Sequence, residues 1–101
     1  MDVDNEEVAM AVLITAEVPG MTVEQYDKVN ELMGVSSASD VDGLICHTAA
    51  VTDGGMLISD VWESEDAFER FINERLMGAF QQAGVAGGPE PKMVPVHNHI
   101  H

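Results

Sequence analysis

A strong turn signal in the middle of the chain limits how this sequence can fold. The turn, Thr52-Asp53-Gly54-Gly55, separates two runs rich in apolar and β-branched residues, at 43–51 and 56–62. An Asp-Gly pair between two such runs is typical of a tight β-hairpin, because the turn requires residues that tolerate positive φ. The sequence therefore predicts that the two runs are adjacent antiparallel strands.

The hairpin also predicts which side chains lie together. For a symmetric turn, the cross-strand pairs are Val51 with Met56, Ala49 with Ile58, His47 with Asp60, and Ile45 with Trp62. Because side chains alternate along a strand, these eight residues share one sheet face. The opposite face carries Cys46, Thr48, Ala50, Leu57, Ser59 and Val61.

Helix-start signals lie on both sides of the hairpin. Thr22 and Gln25 have the spacing of a capping box, so a helix is expected from Val23, ending at Gly34. Ser64 is the expected N-cap of a second helix. The expected apolar positions are Tyr26, Val29 and Leu32 or Met33 in the first helix, and Phe68, Phe71, Ile72, Leu76 and Phe80 in the second.

Apolar runs at 8–18 and 93–99 supply two further strands. The first run is apolar on both faces, which favours a central strand, and Pro95 places the last strand at an edge. The order strand, helix, hairpin, helix, strand predicts an α+β fold, a ferredoxin-like β-α-β-β-α-β antiparallel sheet with two helices on one face. Residues 1–101 are expected to form a single domain, and a homodimer would bury the open face of the sheet.

The charge and cysteine content exclude several classes of partner. A net charge of −14 disfavours nucleic acid and anionic membranes as partners. The single cysteine, Cys46, cannot form an intramolecular disulfide, and we expect it to be a small buried apolar residue. The acidic first ten residues do not resemble a secretory signal, and no apolar run is long enough to span a bilayer, so a cytoplasmic protein is expected.

His47 and Asp60 form the main candidate site. A carboxylate beside an imidazole fixes its tautomer and stabilises the protonated ring, as a general base requires. The alternative is a purely structural pair that fixes the hairpin register.

The C-terminal histidines form a second candidate site. In an extended chain, His97, His99 and His101 project to one side, a spacing that can chelate a transition metal. The alternative is a polar tail that happens to be rich in histidine.

The run Asp60-Val61-Trp62-Glu63-Ser64-Glu65-Asp66-Ala67-Phe68 resembles the strand-to-helix junction of the dimeric α+β barrel superfamily, particularly its antibiotic-biosynthesis-monooxygenase-like proteins. The segment 16–22 and the order of elements are similar as well. The resemblance implies a dimeric barrel in which Trp62 faces a cleft between sheet and helices. It also disfavours haem as a cofactor, because haem-degrading members use a helical histidine where this chain has Ile72.

The resemblance implies an enzyme that needs no cofactor and catalyses oxidation or proton transfer on a small apolar carbonyl or phenolic compound. His47 would be the base and Asp60 its orienting partner. The predicted substrate-binding residues are Trp62, Ile45, Ile58, Phe68 and Ile72. The alternatives are a non-catalytic module that binds a small molecule or a partner, and a metal-binding protein that uses His97, His99 and His101.

Overall fold

A four-stranded antiparallel sheet organises the chain, which a computed structural model describes over residues 11–85 and 90–100. The strands are β1 (Val12–Pro19), β2 (Leu44–Thr52), β3 (Gly55–Trp62) and β4 (Lys92–Pro95), in the spatial order β2-β3-β1-β4. This order places β1 and β3 at the centre and connects the two halves as in a split β-α-β unit. The predicted ferredoxin-like α+β fold is confirmed.

The helices begin where the sequence predicts. Helix α1 (Val23–Met33) starts from a complete capping box between Thr22 and Gln25 and ends at Gly34, whose φ is 72°. Helix α2 (Glu65–Phe71) starts at Ser64, whose hydroxyl accepts a hydrogen bond from the Ala67 amide at 3.1 Å.

The second helical region is not one regular α-helix. A π-helical segment (Ile72–Leu76) follows α2 directly and leads into α3 (Met77–Ala83). Within this segment, Arg75 donates hydrogen bonds to the carbonyls of Met33 (2.5 Å) and Asp40 (2.9 Å). The π-helical segment therefore carries Arg75, the side chain that ties the second helical region to the end of α1. The spacing of apolar residues in the sequence did not predict this segment.

The predicted hairpin register is confirmed over most of its length. His47 pairs with Asp60, as do Ala49 with Ile58 and Val51 with Met56. The predicted pairing of Ile45 with Trp62 is wrong, because Trp62 pairs with Leu44. A β-bulge between Leu44 and Cys46 inserts one extra residue in β2 and shifts the register at this end.

The last strand is shorter than predicted. It ends at Pro95 instead of continuing to residue 99, although the amide of Val96 still donates to the carbonyl of Ala11 at 3.0 Å. Within the described chain, β4 pairs with β1 alone, which confirms that Pro95 lies on an edge strand. Residues 8–10 of the predicted first strand lie outside the described residues.

Two buried clusters join the sheet to the helices. One is centred on Ile14, Trp62 and Phe68, and the other on Val18, Val29 and Met56. On the opposite face, Leu57 and Val94 are exposed. The structure holds one chain, so the homodimer over this face stays a prediction. None of the described helices is long and apolar enough to cross a membrane.

Gly55 provides a direct test of the hairpin, because its φ is 154° and a Cβ atom there would lie 2.2 Å from the Val18 carbonyl oxygen. Replacing Gly55 by alanine is expected to lower the free energy of unfolding by about 1–3 kcal/mol. Gly54 is the matched control, since a Cβ at that position meets no atom within 4 Å. Urea denaturation of Gly55→Ala and Gly54→Ala should separate the two variants, and equal midpoints would contradict the expected strain.

Candidate functional site

A cavity of about 460 Å³ lies between the sheet and the helices. Its walls are mostly apolar and come from β1, the hairpin, α1 and the second helical region. All five residues predicted to bind substrate line it: Ile45, Ile58, Trp62, Phe68 and Ile72. The helix side chains therefore surround a space of the size that small-molecule sites occupy, and do not fill it.

His47 and Asp60 meet across the hairpin as predicted. The Nδ1 atom of His47 lies 2.5 Å from Oδ1 of Asp60, and both residues line the cavity. The side chain of His47 is 32% exposed, whereas that of Asp60 is only 10% exposed. A nearly buried carboxylate thus supports a partly accessible imidazole.

Trp62 holds the second oxygen of the same carboxylate. Its indole N–H donates to Oδ2 of Asp60 at 3.2 Å. An ionised carboxylate only accepts hydrogen bonds, so this arrangement assigns the proton of His47 to Nδ1. The Nε2 atom of His47 is then left as an acceptor.

The hydroxyl of Tyr26 is the hydrogen-bond partner of this Nε2 atom. The hydroxyl oxygen lies 2.6 Å from Nε2 of His47, and the two rings are almost parallel, with centroids 5.9 Å apart. Under the assigned tautomer, the Tyr26 hydroxyl donates to His47, which in turn donates to Asp60. We call the three side chains, Tyr26, His47 and Asp60, the hydrogen-bonded relay.

The N-terminus of α1 determines where Tyr26 lies. The capping box fixes the first turn, and the side-chain amide of Gln25 also donates to the Gly84 carbonyl at 3.3 Å. Tyr26 follows directly and turns toward β2. The sequence analysis identified Tyr26 only as an apolar helix position. The one feature that could have marked it as a site residue is that it is the single tyrosine of the chain and lies on the buried face of a helix.

The loop after α1 forms part of the cavity wall and is held by Asp40. This carboxylate accepts hydrogen bonds from the backbone amides of Ser36 (2.9 Å) and Ser37 (3.1 Å). These bonds favour its charged form and lower the pKa of Asp40 below its ordinary value, with a smaller contribution from Arg75. The loop is therefore fastened both by its own acid and by the second helical region.

Two of the C-terminal histidines, His97 and His99, follow β4, at the opposite edge of the sheet from the strand that carries His47. His97 is exposed and His99 is half-buried, both beyond the end of β4, and His101 lies outside the described residues. Over residues 11–85 and 90–100, no three histidine, cysteine, aspartate or glutamate side chains cluster as metal ligands would.

Comparison with known proteins shows which of them share this fold. No protein-family model matches the sequence, and no curated protein matches it at a significant level. Among solved structures, SnoaB of Streptomyces nogalater, a cofactor-independent oxygenase, matches with a TM-score of 0.61 and 13% identity over 89% of this chain and 95% of its own.

Two further structures match over nearly the whole chain. A Streptomyces coelicolor monooxygenase in complex with nanaomycin D has a TM-score of 0.59 and 19% identity, covering 99% of this chain and 98% of its own. A Nitrosomonas europaea protein of unknown function has a TM-score of 0.67 and 12% identity, covering 94% and 96%. The chain therefore has the fold of the antibiotic-biosynthesis-monooxygenase-like proteins, as the junction at 60–68 predicted.

Proposed function

We propose that the cavity binds a small, largely apolar carbonyl or phenolic compound and that the hydrogen-bonded relay removes a proton from it. The observation that carries this proposal is the continuous chain of contacts from Asp60 through His47 to Tyr26, at 2.5 and 2.6 Å, along an otherwise apolar cavity. In many enzymes the general base is a histidine that a carboxylate orients in this way.

Proton removal proceeds along the relay. When the Tyr26 hydroxyl passes its proton to Nε2 of His47, its oxygen becomes the base that meets the substrate. The positive charge that develops on the imidazole is stabilised by Asp60, whose other oxygen stays bound to Trp62. The product of this step is a substrate enolate or phenolate inside the cavity.

An oxidation with dioxygen can follow from the same anion. The carbon that has lost its proton gives an electron pair to dioxygen, and the new carbon–oxygen bond leaves a peroxide anion that takes up a proton. Loss of the second hydrogen from that carbon then breaks the oxygen–oxygen bond and releases water. In sum, one methylene group and one dioxygen molecule give one carbonyl group and one water molecule, so the balance requires no cofactor. The fold shared with SnoaB and the Streptomyces coelicolor monooxygenase supports this branch of the proposal.

The walls of the cavity favour a neutral, compact substrate. Among the described residues, no lysine or arginine side chain lines the cavity, so nothing there balances a carboxylate or phosphate. A volume of about 460 Å³ corresponds to roughly 15 water molecules at ~30 Å³ each, which suits a compound of one or two rings.

The test uses 2-tetralone, a neutral carbon acid of two rings, in deuterium oxide. The protein is expected to accelerate deuterium incorporation beside the carbonyl, measured by NMR, and Tyr26→Phe is expected to lower that rate about 100-fold because the terminal oxygen of the relay is lost. An unchanged rate in Tyr26→Phe would make His47 the group that meets the substrate. Binding without exchange or oxygen uptake, for 2-tetralone and a panel of phenols, would support the non-catalytic module instead.

A further inference from the structure

Asn30 lies one helical turn beyond Tyr26 on the same side of α1. The two residues have the i, i+4 spacing that places Cβ atoms about 5–6 Å apart. Asn30 is half-buried and lines the cavity together with Tyr26. Its side chain therefore borders the space next to the end of the relay.

The side-chain amide of Asn30 is not used within the fold. It forms no hydrogen bond with any residue in the part of the chain that the structure describes. The other hydroxyls on this wall are engaged: Ser36 Oγ donates to Asp40 at 3.2 Å, and the hydroxyls of Ser37 and Ser39 lie 2.8 Å apart. The amide atoms of Asn30 stay accessible from the cavity, so a ligand that displaces water there has to offer them a hydrogen bond or lose affinity.

The chemistry of an amide limits what can satisfy Asn30. It can donate to a carbonyl oxygen or accept from a hydroxyl, and it carries no charge to balance an anion. Because no cationic side chain lines the cavity among the described residues, the matching group is a neutral oxygen.

We infer that Asn30 determines specificity and that the substrate carries two neutral oxygen functions on one ring system. One oxygen lies at the hydrogen-bonded relay, and the second, on the same edge of the substrate, binds the Asn30 amide. This inference rests on the proposed function, since it takes the relay as the site of the reacting group. It narrows the substrate class from any apolar carbonyl or phenol to dihydroxy or hydroxy-carbonyl compounds.

The test compares two ligands that differ by one hydroxyl, 1-naphthol and 1,3-dihydroxynaphthalene, by isothermal titration calorimetry. The wild-type protein is expected to bind the diol about five- to tenfold more tightly, the effect of one neutral hydrogen bond. In Asn30→Leu, which keeps the side-chain volume but removes the amide, that preference should fall to about one while the affinity for 1-naphthol is retained. Asn73→Leu is the matched control, because Asn73 is exposed and does not line the cavity.

Three outcomes overturn the inference: equal affinity of the wild-type protein for both naphthols, a preference for the diol that persists in Asn30→Leu, or no binding of either compound. Loss of the preference in Asn73→Leu as well would also overturn it, since the effect would not be local. Failure of the proposed function is seen separately, as an unchanged deuterium exchange rate in a His47 variant, because the Asn30 experiment measures binding alone.

Discussion

Replacing His47 by glutamine is expected to lower the rate of deuterium exchange into 2-tetralone by a factor of about 10²–10⁴, the usual contribution of a general base. His47 is the central member of the relay, with Asp60 at 2.5 Å on one ring nitrogen and Tyr26 at 2.6 Å on the other. Glutamine can hydrogen-bond to both neighbours, but its side-chain amide cannot take up a proton near neutral pH. The variant should therefore keep the cavity and lose the chemistry.

His97→Gln is the matched control for this experiment. His97 is exposed and lies beyond the end of β4, so the same substitution there should leave the exchange rate unchanged. Circular dichroism checks that both variants are folded. Full activity in His47→Gln would contradict its role as the proton acceptor of the relay and would leave the pair with Asp60 a structural one.

The half of the site that lies in the hairpin could be predicted from the sequence. The turn signal at Asp53 and Gly54 fixes the register, and the alternation of side chains then brings His47 and Asp60 together. This prediction needs no knowledge of how the sheet packs against the helices. It failed at Ile45, because a β-bulge adds a residue without leaving a periodic signature.

The half of the site that lies in the helices could not be predicted in the same way. Whether Tyr26 contacts His47 depends on how α1 is rotated and placed over the sheet, and helical periodicity identifies only a buried face. A tyrosine on that face is equally suited to packing in the core or to donating a hydrogen bond. For the same reason Asn30 carried no signal until the cavity was seen.

The segment 60–68, which carries the family resemblance, contributes to both the hairpin half and the helix half of the site. Asp60 and Trp62 lie on the same face of the strand, one bonded to His47 and the other packed against α2. Ser64 then starts the helix that closes the cavity. A short segment thus combines the carboxylate of the relay, the wall behind it and the helix that covers it.

Trp62 should be the most costly of these residues to remove. It is 0% exposed, and its ring packs against Phe68 and Phe71, with centroid distances of 5.6 and 5.2 Å. Replacing Trp62 by alanine is expected to lower the free energy of unfolding by about 3–5 kcal/mol, the usual loss for a large buried aromatic side chain. Val51→Ala is the control for truncation on the same sheet face, since Val51 is 69% exposed and should lose little.

Trp62→Phe separates the packing of the ring from its hydrogen bond. Phenylalanine keeps most of the contact with Phe68 but leaves Oδ2 of Asp60 without the indole donor, for an expected loss of about 1–3 kcal/mol. Urea denaturation of all three variants is measured at one protein concentration. It is followed by circular dichroism instead of tryptophan fluorescence, because Trp62 is the only tryptophan and its fluorescence is lost when it is replaced. If Trp62→Phe were as stable as the wild-type protein, the bond to Asp60 would contribute nothing to folding. The deuterium exchange rate of Trp62→Phe then shows whether the indole bond to Oδ2 affects the contact of Asp60 with His47.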